Sequence, residues 1–103
     1  MTMELYRYAF HTEVPLEEIE VTLLLALFAA ESLHGESQVQ LDAAHHLDEG
    51  QVALVIDAGT LVGRDLNRLF VGFLRREFGS DAFQVERVEN LTVSPSREVP
   101  AAV

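Results

Sequence analysis

The chain has 103 residues, 49% of them hydrophobic, without a dominant repeat; at that size one domain builds its own core, and the disordered and fibrous classes are disfavoured. Seventeen acidic against seven basic residues give a net charge of −10, which repels phosphate backbones and anionic lipid, so neither nucleic acid nor a membrane is an expected partner. The lack of cysteine excludes disulfides, thiolate zinc sites and cysteine nucleophiles.

Met1 to Phe10 carries Glu4 and Arg7 among apolar residues and lacks the order of a signal peptide, so a cytoplasmic protein is expected. Glu4 to His11 alternates, with Tyr6, Tyr8 and Phe10 on one side and Leu5, Arg7, Ala9 and His11 on the other, the period of a strand. Pro15 suits a helix start, Glu17 and Glu18 suit its positive end, and Gly35 after His34 is a stop, which predicts a helix over Leu16–His34. Its longest apolar run, Leu23–Ala30, falls far short of the roughly 18 to 20 residues that span a bilayer. At about 100° per residue, Leu16, Ile19, Leu23, Ala26, Leu27 and Ala30 form one stripe, and Val21, Leu24, Leu25 and Phe28 form a second, roughly opposite. A two-layer fold covers one stripe, so the second calls for another chain, a partner or the C-terminal tail.

Gln38 to Leu47 alternates and reads as a second strand, Asp48 to Gly50 as a hairpin turn, and Gln51 to Asp57 as a third strand, apolar on both faces and therefore internal. Thr60 as N-cap and Gly79 as stop frame a helix over Leu61–Phe78, with Val62, Leu66, Leu69, Phe70 and Phe73 as its core stripe. Ala82–Val88 is the last predicted strand. From Asn90 onward, Ser94, Pro95, Ser96 and Pro100 interrupt any period, predicting a single domain over 1–89 and a loose tail over 90–103. The order βαββαβ predicts an α+β fold of ferredoxin-like architecture, a four-stranded antiparallel sheet with two helices on one face. That fold hosts many functions and licenses none of them.

His45 and His46 are the candidates for a metal site, but neighbours on a strand point to opposite faces, so no metal is expected and a solvated hairpin end is preferred. His34 fits a helix-terminal partner of the dipole. Asp57–Thr60 joins a strand to a helix without the glycine spacing of a phosphate motif, and reads as a capped turn. Arg64, Arg68 and Arg75 fall in one row opposite the core stripe of their helix and are candidates for an anionic group or an acidic protein surface, such as another copy of this chain. No cofactor is expected. The leading expectation is a non-catalytic homo-oligomeric interaction or regulatory module, a homodimer through Val21, Leu24, Leu25 and Phe28, with another protein as a possible partner. The alternative is a small dimeric enzyme or ligand-binding protein with His11, His46 and Arg7 around a pocket.

Overall fold

Pro15 and Gly35 bracket the first helix as their chemistry dictates. The Pro15 carbonyl accepts from the N–H groups of Glu18 and Ile19 at 3.1 and 3.2 Å, and Gly35, at φ 90°, returns its N–H to the Glu31 carbonyl at 2.8 Å. The computed structural model describes residues 4–88; the expected tail, 90–103, lies outside the described residues. In chain order the elements are β1 (Leu5–Phe10), α1 (Leu16–His34), α2 (Glu36–Asp42), β2 (His45–Asp48), β3 (Ala53–Asp57), α3 (Leu61–Phe78), a 3₁₀ turn (Ser80–Ala82) and β4 (Phe83–Val88). They form an α+β fold in which the four strands make one antiparallel sheet in the order β2-β3-β1-β4.

One expectation needs correcting. The segment read as the start of the second strand is helical over Glu36–Asp42, so there are three helices rather than two, and β2 is only His45–Asp48. A helix sets Val39 and Leu41 about 200° apart. Val39 is accordingly buried against Ala30 and Val62, while Leu41 is exposed. The turn that follows is longer than expected and delays β3 to Ala53. The Asp48 carboxylate accepts from Gly50 and Gln51 N–H at 3.1 and 3.3 Å, and Val52 is held at φ 50°, rare for a β-branched residue.

Strand register places Tyr8 beside Leu54 and Val85, and Phe10 beside Phe83, on the face that the helices cover. Tyr8, Leu54 and Ile56 meet Ile19, Leu23 and Ala26 of α1 and Leu66, Phe70 and Leu74 of α3 in one core. The Phe70 ring stands edge-on to Tyr8, centroids 5.0 Å apart at 73°. The Tyr8 hydroxyl donates to Asn67 Oδ1 at 2.5 Å, and burial holds the phenol well above its ordinary range, so it stays a neutral donor. Thr60 caps α3 as its sequence position implies, its Oγ1 accepting from Gly63 N–H at 3.0 Å. The same hydroxyl donates to the Asp42 carbonyl at 3.1 Å, tying the end of α2 to the start of α3.

Candidate functional site

Helical periodicity divides α1 into two apolar faces, and the sheet takes one. Ile19, Leu23, Ala26 and Ala30 are buried, whereas Val21, Leu24, Leu25 and Phe28 remain 58%, 48%, 54% and 56% exposed. These four side chains, with Glu17 and Glu20, line one open depression. Glu18 and Glu31 flank the same face. The surface is thus an apolar stripe edged by carboxylates, a composition suited to contact with protein.

Beside it, α3 buries Val62, Leu66, Phe70 and Leu74 and turns Arg64, Arg68 and Arg75 outward, with Leu61 exposed at the head of the row. The helices run antiparallel. His34 near the end of α1 contacts Asp65 near the start of α3 at 2.8 Å, while Glu18 near the start of α1 shares a cleft with Glu77 near the end of α3. The His34–Asp65 contact is the only approach of a basic side chain to a carboxylate within 4.0 Å among the described residues. None of the three arginines has an acidic partner there.

No protein-family model, curated protein or solved structure matches this chain.

His46 and Arg7 share one face of the sheet, and His11 lies exposed beyond the end of β1. Register places His46 and Arg7 on either side of Val55, on the sheet face away from the core, where Arg7 donates to Gln51 Oε1 at 3.0 Å. His45 pairs with Ile56 and so lies on the opposite face from its neighbour. Among the described residues no three His, Cys, Asp or Glu side chains are arranged to hold a metal ion. The Asp57–Thr60 turn is closed on itself, the Asp57 carboxylate accepting from Gly59 N–H at 2.8 Å. No helix among the described residues is long and apolar enough to cross a membrane.

A feature not legible from the strand pattern is an open groove of about 400 Å³ between α1 and β2, whose lining includes Glu20, Leu24, Leu27, His45, His46 and Glu49. With β2 read as beginning seven residues earlier, at Gln38, nothing in the sequence brought its end against α1; the helical spacing of Glu20, Leu24 and Leu27 was the only available signal. Partial burial in this groove lowers the His45 pKa below its ordinary 6.5, and the adjacent His46 adds repulsion to the imidazolium. Below the ordinary value the unfolded chain binds the proton that the folded chain resists, so this residue withdraws stability as pH falls from 6.5 towards the lowered folded value. Between about pH 7.5 and about pH 5.5, His45→Gln is expected to lose less of its urea midpoint than the parent protein does, and an equal loss would refute the assignment.

Proposed function

We propose that this chain is a ferredoxin-like domain carrying one additional helix, and that it works as a homodimeric interaction or regulatory module through the outward face of α1. The observation that carries this reading is the exposure of Val21, Leu24, Leu25 and Phe28 as one continuous face opposite the core. The strand order β2-β3-β1-β4, with α1 and α3 packed on the same sheet face, supports the fold assignment. Full burial of an aliphatic or aromatic side chain stabilises by about 1.5–3 kcal/mol, so four half-exposed ones withhold on the order of 3–6 kcal/mol per protomer. Two protomers recover about twice that against an association cost of some 4–15 kcal/mol, so the stripe offsets a large part of that cost. A two-fold arrangement uses one surface twice and closes.

Size exclusion with light scattering at micromolar concentration is expected to give twice the 11.5 kDa of one chain. Phe28→Asp buries an unpaired carboxylate in the interface and is expected to return the single-chain mass, whereas Glu18→Gln at the rim leaves the dimer intact. A parent protein of single-chain mass over this range sinks the proposal.

The groove between α1 and β2 favours a second reading, a small ligand-binding protein or enzyme, because it combines an apolar floor with His45, Glu20 and Glu49. That reading gains if the parent protein is a monomer and a small molecule raises its Tm in a manner that His45→Gln abolishes.

A further inference from the structure

The helical layer presents two surfaces side by side, the carboxylate-edged stripe of α1 and the arginine row of α3, and among the described residues no ion pair joins them within the protomer. We infer that α1 of one protomer packs on α3 of its partner, twice, about a two-fold axis running along the helices. This inference rests on the self-association proposed above and specifies which surface α1 meets.

The charge pattern decides between the two simplest pairings. Laying α1 against the partner's α1 sets Glu17, Glu18, Glu20 and Glu31, which border the stripe on both sides, against their own copies, and like charges brought together at an interface select against that arrangement. Laying α1 on the partner's α3 sets Glu20 and Glu31 against guanidinium forks. The antiparallel run of the two helices makes the levels agree: with His34 beside Asp65 at one end and Glu18 beside Glu77 at the other, Glu31 lies level with the stretch between Arg64 and Arg68, and Glu20 lies close to the level of Arg75. A two-fold axis parallel to the helices keeps each level while exchanging α1 for α3. Glu31 then faces the partner's Arg64 and the partner's Arg68, and Glu20 approaches the partner's Arg75.

The arginine row can also receive the apolar stripe. Arginine covers apolar surface with its methylene stem while its head reaches outward, and Phe28, level with Arg68, offers a ring face to that guanidinium. Gly72 lies in the middle of α3, where glycine weakens a helix, and the space where its Cβ would stand is open. That notch is level with Leu25.

Sedimentation velocity over a concentration series, with circular dichroism to verify folding, tests the pairing by charge exchange. Arg68→Glu is expected to weaken the dimer about tenfold or more, Glu31→Arg to weaken it similarly, and the double variant Glu31→Arg, Arg68→Glu to return it to within about threefold of the parent. Both positions lie on the outer surface, so the fold should be retained. A dimer that Glu31→Arg tightens and Arg68→Glu leaves unchanged overturns this inference in favour of α1 on α1, with the self-association itself standing. A parent protein that is monomeric throughout overturns both.

Discussion

Gly63→Ala is expected to destabilise the protein by about 3 kcal/mol or more, although alanine at a helical position ordinarily stabilises by about 0.5–1 kcal/mol relative to glycine. The reversal follows from how the first turn of α3 meets the end of β3. Gly63 is buried, and a methyl group there would overlap the backbone carbonyl oxygen of Asp57 and press on the Thr60 side chain that caps the helix. A carbonyl at a strand end cannot swing aside as a flexible side chain can. Relieving the overlap requires moving the helix away from the sheet, which strains the cap and loosens Val62 and Leu66 in the core. For a domain of this size the change corresponds to a fall in Tm of more than about 10 °C. Urea unfolding followed by circular dichroism measures it, and a neutral or stabilised Gly63→Ala would show that the approach of α3 to β3 is looser than described.

Phe70→Ala is expected to remove about 3–5 kcal/mol, a large share of the roughly 5–15 kcal/mol that holds a small domain together. Phe70 is fully buried between Tyr8 and the aliphatic residues of both long helices, and its edge-on contact with Tyr8 adds to the area it buries. Because Tyr8 is itself fixed by its hydrogen bond to Asn67, the neighbouring ring cannot collapse freely into the space left behind. Phe70→Leu, which keeps most of the volume, should cost less than half as much. Denaturant unfolding repeated over a series of protein concentrations separates this core effect from any self-association. Equal losses for the alanine and leucine variants would point to the aromatic contact rather than the filled volume.

Both long helices were legible because their ends carry residues that act through the backbone. Pro15 cannot donate from within a helix, Gly35 and Gly79 take positive φ at the stops, and Thr60 supplies the capping oxygen. The two faces of α1 were legible for the same reason, since once its frame is set the angle of each side chain follows. The stretch from Glu36 to Asp42 was not. Val39, Leu41 and Ala43 satisfy a two-residue period, yet Val39 and Ala43 also satisfy a four-residue one, and only tertiary contact with Ala30 and Val62 selects the helix. Gly35 marks the end of one helix in the sequence; it is also the residue from which the next begins. Taken as a stop alone, it shifts the start of β2 and conceals the groove in which His45 sits. The placing of His46 and Arg7 on either side of Val55 could not be read from the sequence, because it depends on strand register.

The order β2-β3-β1-β4 has a consequence for how the molecule reaches its native state. β1 lies in the interior of the sheet, with Leu5 paired on one side to Asp57 and on the other to Val88. Neither neighbour is local in sequence, so closing these pairings means bridging most of the polypeptide, a topology associated with slower folding than that of helical proteins of similar length. During synthesis, Tyr8 and Phe10 leave the ribosome long before Leu54 and Phe83 exist to cover them. Until β4 has emerged, one backbone edge of β1 is an open template for pairing with other nascent chains. Docking of residues 83–88 on β1 is therefore the step that seals that edge.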